Sequence, residues 1–207
     1  IIVYIAVQFS SITTPNYMKH SLIAFLVFFS ICCSAQVKTV SFKSEKLNEK
    51  RDIYVSLPAS YEKNTSKRYP LLLILDGDYL VNPFIGALTY GSHWDELPEV
   101  IVIGISQNKN DQRTLDCGVD HITGMPEKKS VDFFDFISLE LIPMVQKEYR
   151  TTNFKIIAGH DITASYLNFF LYQEKPLFNA YISLSPELPA EMEEKLPEII
   201  SDPKLSL

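Results

Sequence analysis

The apolar positions of this chain follow two patterns, short continuous runs and helical repeats, which alternate along the sequence. Continuous runs at residues 70–75, 100–105, 154–158 and 178–184 are typical of strands that are buried on both faces of a sheet. Between them, residues 80–88, 132–149 and the stretch after Ile162 place apolar side chains at helical spacing. Strands that alternate with helices predict a mostly parallel sheet with helices on both faces.

Some segments depart from this alternation of buried strands and helices. Residues 37–43 and 52–57 predict two short strands around a polar turn, which favours an antiparallel hairpin at one edge of the sheet. Residues 106–130 predict a long polar loop. Pro143 favours a kink in the helix over 132–149, and Pro197 predicts an interruption or restart of a last helix over 191–200.

The stretch 154–170 combines a strand, a sharp turn and a helix within a short length of chain. The turn is Gly159-His160-Asp161, and the helix begins at Ile162. This layout is typical of a nucleophile elbow, which follows the pattern G-x-nucleophile-x-G. Here Asp161 stands where Ser is usual and Thr163 replaces the last Gly. In parallel sheets the site lies at the carboxyl ends of the strands, so we expect the elbow to face it.

Composition narrows the classes of function. A chain of 207 residues with 46% hydrophobic and 21% charged residues is long enough for one domain with a sizeable core. Its net charge of −6 argues against nucleic acid as a partner. The chain contains no glycine-rich phosphate loop and no dinucleotide-binding fingerprint, so we predict no cofactor.

Residues 1–35 have the features of a targeting segment. Met18 and a basic start precede an apolar run of signal-peptide length, and small residues stand before Gln36. We therefore expect residues 1–17 to lie upstream of the natural start, residues 18–35 to be a signal peptide, and residues 36–207 to form the exported domain, periplasmic or secreted. Lipidation at Cys32 or Cys33 is less favoured because the residues before them fit a lipidation site poorly. After cleavage we expect no membrane span.

Four segments in order carry a resemblance to a known family: YPLLLILDGDYL, VIVIGISQNKNDQRTLD, IIAGHDITAS and FNAYISLSPEL. Together they resemble the esterase family of the α/β-hydrolase superfamily, the group of esterase D and the enterochelin esterases, over about residues 37 to 198. The resemblance implies a three-layer α/β-hydrolase-like fold, hydrolysis by a Ser-His-acid triad, and a small-molecule ester or acyl substrate.

The resemblance also implies roles for individual residues. Asp161 takes the nucleophile position, and the Ile162 amide, with that of Gly77 or Asp78, would form the oxyanion hole. Further candidates for contact with the substrate are Arg113 and Asp116, which stand at the family's R-x-x-D positions, and His160, which precedes the nucleophile position. Trp94 is a candidate for lining the mouth of the pocket. For Arg113 the alternatives are an anionic substrate group and a surface ion pair. We expect His160 to be structural, and core packing is the alternative for Trp94.

Two departures from the family put its activity in doubt. Asp161 replaces Ser, and no His follows His160. The family's acid and His lie in later segments, so we expect a domain that is degenerate at the nucleophile and truncated at its C-terminus. Two other readings stay open: a non-catalytic binding module that retains the pocket, and a hydrolase in which Asp161 attacks an alkyl carbon.

No metal site is predicted. His93 and His121 have acidic neighbours, but the chain lacks a close His pair or an HExxH motif. The segment Asp76-Gly77-Asp78 lacks the rest of a calcium loop. We interpret it as a tight turn that faces the site.

Overall fold

The computed structural model describes residues 37–173 and 175–200 and has helices on both faces of a six-stranded sheet, which confirms the predicted α/β fold class. The segments predicted for residues 1–17 and 18–35 lie outside these residues. The strands are β1 (Lys38–Ser44), β2 (Glu49–Ser56), β3 (Tyr69–Ile74), β4 (Ile101–Ile105), β5 (Thr151–His160) and β6 (Ala180–Leu184). The α-helices are α1 (Gly77–His93), α2 (Gln112–Cys117), α3 (Lys128–Asp135), α4 (Ile142–Glu148), α5 (Ile162–Leu167) and α6 (Ala190–Ile200).

The sheet has the order β1-β2-β4-β3-β5-β6. Strands β1 and β2 form the predicted antiparallel hairpin at one edge, and β2 pairs antiparallel with β4. The remaining neighbours pair in parallel. The carboxyl ends of β3, β4, β5 and β6 therefore meet at one edge of the sheet.

Alternate side chains of the central strands enter two separate hydrophobic clusters. In β3, Leu71 and Leu73 pack in the cluster that contains side chains of α3, α4 and α5, whereas Leu72 and Ile74 pack in the cluster that includes α1. Because both faces are covered, every position of β3 after Pro70 and every position of β4 is buried. Continuous apolar runs are thus what the central strands require.

Helix α1 is longer than the predicted 80–88. It starts at Gly77, directly after β3, and ends at His93. Its first turn is polar and its last turn is largely exposed, so neither carries the apolar periodicity on which the sequence prediction rests. Pro83 therefore lies inside the helix rather than in its first turn.

The segment 106–130, predicted as a loop, contains helix α2 and a short bridge between Val119 and Pro126. Helix α2 is too short for a helical repeat to be visible in the sequence, and its buried residues include the polar Gln112 and Asp116. Contacts with distant residues, rather than an apolar face of its own, explain its position.

The helix predicted over 132–149 begins at Lys128 and changes character in its middle. A π-helical segment, Phe136–Leu141, joins α3 to α4, and Pro143 lies in the first turn of α4. Pro143 has no amide N–H, so one hydrogen bond of the helix cannot form. The wider π-helical turn beside Pro143 accommodates this missing hydrogen bond. Near the C-terminus, α6 runs through position 197 without the predicted interruption.

Among the described residues, no helix combines the length and the apolar character that crossing a membrane requires.

Candidate active site

The residue at the sharp turn after β5 has an unusual backbone conformation. Asp161 lies between the last residue of β5 and the first residue of α5, with φ 57° and ψ −118°. A non-glycine residue in this region costs on the order of 1–3 kcal/mol and persists only when its surroundings hold it. Here the Asp161 N–H donates to the Leu184 carbonyl at 2.9 Å, and its carbonyl accepts from Ser165 N at 2.9 Å. The turn is therefore held by β6 on one side and by α5 on the other.

Close packing between β5 and α5 explains the glycine before the turn. A Cβ atom at Gly159 would lie 2.8 Å from Thr163 Oγ1 and 2.9 Å from the Thr163 carbonyl carbon. Any other residue would push the helix away from the strand. The structure thus has the strand, turn and helix that the sequence indicates, with Asp161 at the apex.

The Asp161 side chain is exposed and forms an ion pair. Its exposed fraction is 58%, and Oδ2 lies 3.2 Å from Arg113 Nη2 and 3.3 Å from Arg113 Nη1. Within the described part of the chain, Oδ1 forms no hydrogen bond. One oxygen of the Asp161 carboxylate is therefore ion-paired with Arg113, and the other is available for a hydrogen bond.

Arg113 joins three groups around the turn. Its Nε donates to Asp76 Oδ1 at 2.7 Å, and Nη2 donates to the His160 carbonyl at 2.8 Å as well as to Asp161. Burial lowers the pKa of Arg113, but the hydrogen bond and charge of Asp76 outweigh it, so the net pKa is raised. In the structure, Arg113 lies in ion pairs with Asp76 and Asp161 at the turn.

Asp76 is the buried centre of this network, a role that the sequence did not assign to it. Its side chain is 2% exposed, and besides Arg113 it accepts from Thr163 Oγ1 at 2.7 Å and from Tyr79 Oη at 3.0 Å. Thr163 occupies the last position of the elbow motif, where Gly is usual, and its hydroxyl also accepts from His160 N at 2.9 Å. The sequence analysis predicted no such contact, although a hydroxyl side chain at a motif position where Gly is usual is a signal from which it could have been sought.

His160 contacts the same network from its other side. Its Nδ1 lies 3.1 Å from Tyr79 Oη, and the two rings meet edge to face. Burial raises the pKa of Tyr79, and the neighbouring Asp76 carboxylate adds to the effect. Tyr79 therefore stays protonated at neutral pH and bridges His160 to Asp76.

The predicted oxyanion loop forms the start of α1. Gly77 approaches β4 so closely that a Cβ atom would lie 2.9 Å from the backbone of Ile105, which excludes other residues here. The Asp78 carboxylate accepts from Tyr54 Oη, Ser106 Oγ and Gln107 N, each at 2.8 Å. These bonds fix the first turn of α1, in which the Tyr79 and Leu80 amides donate to the Asp76 carbonyl, both at 3.2 Å.

Asp116, expected near the substrate, lies instead in the interior. Its side chain is 0% exposed, as is that of Arg51, and Arg51 Nη1 and Nη2 each donate to it at 2.7 Å. Gln107 Nε2 adds a third donor at 3.1 Å. Burial raises the pKa of Asp116, and Arg51 acts against this shift. Asp116 is thus part of a buried ion pair, without exposure toward the elbow.

Trp94 is likewise remote from the turn. It follows the last residue of α1, and 17 helical residues separate it from the start of that helix. At 1.5 Å per residue this is about 25 Å along the helix axis. The Trp94 ring is exposed and packs against His93, so it lines neither a pocket mouth at the elbow nor the core.

No group of three metal-ligating side chains comes together among residues 37–173 and 175–200.

The model of the family described as "Putative esterase" matches residues 44–188, which is more than two thirds of the chain. No protein of curated function matches it in sequence.

Among solved structures, an uncharacterised protein from Capnocytophaga ochracea is 29% identical, with a TM-score of 0.73 over 80% of this chain and 45% of its own. An IroE-like serine hydrolase from Shewanella oneidensis is 24% identical, with a TM-score of 0.67 over 80% of this chain and 56% of its own. Enterochelin esterase from Shigella flexneri is 20% identical, with a TM-score of 0.60 over 78% of this chain and 41% of its own. The chain thus spans about half the length of the structures that it resembles.

Proposed function

Because the chain belongs to the esterase family whose model it matches, we propose that it is an exported member whose pocket takes a small ester or acyl compound and whose elbow does not hydrolyse it. The observation that carries this proposal is the ion pair between Asp161 and Arg113 at the position of the nucleophile. The site is used for binding, with Asp161 as a ligand-contacting group.

The chemistry of a carboxylate argues against nucleophilic attack on an ester. Attack on an ester carbonyl would form an anhydride and expel a more basic alkoxide, which is uphill. Pairing with Arg113 further lowers the nucleophilicity of Asp161, because the guanidinium stabilises the negative charge that would have to be shared with the substrate. The same effect weakens attack at an alkyl carbon.

A base that could activate a hydroxyl or a water is also missing from the described residues. His93 ends helix α1, far from the turn, and His121 is exposed in the segment before α3. His160 hydrogen-bonds to Tyr79 beside the turn. An acyl intermediate at the elbow would need such a base to be resolved.

The donors for an oxyanion are the part of the family site that this chain retains. Ile162 begins α5 directly after Asp161, and Gly77 begins α1 after β3. We propose that the amide of Ile162, with that of Gly77 or Asp78, binds the carbonyl oxygen of the ligand. Such donors and binding alone would leave a rate on the order of 10³–10⁴-fold over that in water.

The test compares the protein with its Asp161→Ser and Asp161→Asn variants on p-nitrophenyl acetate and butyrate, together with an organophosphate titrant. We expect the protein and Asp161→Asn to be equally silent. Asp161→Ser in the full-length protein should react with the titrant if a His and an acid from later segments can deprotonate the new hydroxyl. Robust turnover by the unmodified protein that Asp161→Asn abolishes would overturn the proposal. Turnover of alkyl halides or epoxides with the same dependence would establish Asp161 as an alkyl-directed nucleophile.

Export is tested separately. We expect mass spectrometry of protein from the periplasm or the medium to find Gln36 at the N-terminus. A mature chain that begins at a lipidated Cys32 or Cys33 would instead indicate a membrane anchor.

A further inference from the structure

The donors of Arg113 at the elbow are nearly all in use. An arginine has five N–H donors, and four of them are directed at Asp76, the His160 carbonyl and Asp161. An anionic ligand that approached Arg113 would have to displace Asp161 or lie against its negative charge. Arg113 is therefore poorly suited to hold an anion in this arrangement.

The charge of the network also disfavours an anionic ligand. Two carboxylates, those of Asp76 and Asp161, share the Arg113 guanidinium. Asp78 adds a third carboxylate in the first turn of α1, and it receives its hydrogen bonds from neutral groups. With a net charge of −6 for the whole chain, the site lies in a negative potential that attracts cations and repels anions.

The tautomer of His160 follows from its neighbours. Asp76 is ion-paired with Arg113, so its carboxylate only accepts, and the single proton of the Tyr79 hydroxyl is donated to Asp76 Oδ2. The Tyr79 oxygen must then accept from His160 Nδ1, which carries the proton of the neutral imidazole. The Nε2 atom is left with a free lone pair, and it has no hydrogen-bond partner among the described residues.

Apart from the proposed oxyanion amides and one N–H of Arg113, the side-chain groups still available at the elbow are acceptors: Asp161 Oδ1 and His160 Nε2. We infer that this site selects a ligand with a cationic or hydrogen-bond-donating group, such as a primary ammonium, over one with a carboxylate. The inference rests on the proposed binding function and adds the chemical class of the ligand. Asp161 is the primary contact, and the chain from Asp76 through Tyr79 keeps His160 in the tautomer that accepts.

The first measurement is the tautomer itself, read from the nitrogen-15 shifts of the neutral His160 ring. We expect Nδ1 to be protonated and Nε2 to be bare. In Tyr79→Phe, which removes the oxygen that accepts from Nδ1, we expect a shift toward the Nε2-protonated form. His121, exposed and outside the network, is the internal reference. An Nε2-protonated His160 in the unmodified protein would contradict the inference.

The decisive experiment measures binding of three probes of similar size, benzylammonium, benzyl alcohol and benzoate, by the amide shifts of Ile162 and Thr163. We expect benzylammonium to bind up to about fivefold more tightly than benzoate, as one partly exposed charge pair allows. Asp161→Asn should remove most of that preference. High salt should reduce it as well, because the pair is exposed.

The matched control is Glu62→Gln, which removes the same charge from an exposed loop before β3. That loop lies at the opposite end of β3 from the elbow, about 20 Å away by the rise of six strand residues. Glu62→Gln should leave the preference for benzylammonium unchanged. Equal or tighter binding of benzoate, a preference that survives in Asp161→Asn, or no shift at the elbow with benzylammonium would each overturn the inference. The silence on p-nitrophenyl esters would stand in all three cases, so the two proposals fail separately.

Discussion

Helix α2 contributes one member to each of two Arg–Asp pairs. The two pairs have the same charges but differ in burial and in hydrogen-bond geometry. Asp116 pairs with Arg51 of β2, and both side chains are 0% exposed. Arg113 pairs with Asp161 at the elbow, with exposed fractions of 31% and 58%. The buried pair is bidentate at 2.7 Å, whereas both contacts of the rim pair reach a single oxygen at 3.2 and 3.3 Å.

One short helix thus contacts the protein interior through Asp116 and the elbow through Arg113. The buried pair fixes α2 to the hairpin, and Gln107 extends it by donating to Asp116 and accepting from Asp76 N. Burial makes this pair costly to break, because Asp116 without Arg51 would be an uncompensated buried charge, whereas Arg51 also pairs with Glu49 at 2.5 Å. The rim pair is solvated, so it can exchange its partner for a ligand at little cost.

Breaking the buried pair should have the largest effect. We expect Arg51→Met to lower the free energy of unfolding by about 3–5 kcal/mol, because Asp116 would remain as a buried carboxylate without its cation. Urea denaturation measures the change. The double variant Arg51→Met/Asp116→Leu should recover most of the loss, since it removes both charges. A double variant as unstable as Arg51→Met would show that packing against Phe133, not charge, is the main contribution of Arg51.

The pH dependence of Arg51→Met should be the next largest effect. Burial already raises the pKa of Asp116 against the influence of Arg51, so removal of Arg51 should raise it further. A carboxyl whose pKa is higher in the folded state is most favourable below its unfolded pKa, and stability is lost as pH rises through its folded pKa. The deficit of the variant relative to the unmodified protein should therefore be smaller near pH 4 than near pH 7, by up to about 1.4 kcal/mol for each unit of additional shift. A deficit that does not change with pH would contradict this assignment.

Arg113→Met should have an intermediate effect, because Arg113 contacts one buried and one exposed carboxylate. Asp76, 2% exposed, would keep only its hydroxyl donors, Thr163 and Tyr79. We expect a loss of about 1–3 kcal/mol in the free energy of unfolding, as for a buried acceptor that loses a charged donor. Arg113→Lys is the matched control, and it should recover part of the loss because lysine keeps the charge but lacks the planar fork. A loss as large as that of Arg51→Met would erase the distinction between the two pairs.

Asp161→Asn should have the smallest effect on stability, below about 1 kcal/mol, because the ion pair is exposed. Asn tolerates a positive φ about as well as Asp, so the backbone at φ 57° adds no further cost. A double-mutant cycle of Asp161→Asn with Arg113→Met, followed by urea denaturation, isolates the coupling energy. A coupling well above 1 kcal/mol would show that the rim pair is as structural as the buried one.

The sequence alone predicted the class of fold and the position of the sharp turn between β5 and α5. Continuous apolar runs identify β3 and β4, because strands covered on both faces leave no room for polar positions. Gly159 and Asp161 mark the turn, because a strand can turn so sharply into a helix only where the packing is tight and the backbone is strained. These features are local, so they can be read from neighbouring residues.

The partners of polar residues were decided by the tertiary structure. Arg113 and Asp116 are three residues apart and both were expected near the substrate, yet only Arg113 reaches the elbow. Asp116 is buried because its partner, Arg51, lies 65 residues earlier in the chain, on a strand that the fold brings to α2. Trp94 is remote because α1 extends far beyond its predicted end. The periodicity of apolar residues indicates which element forms. The partner of a charged residue depends on the topology of the sheet, which brings distant segments together and cannot be read from neighbouring residues.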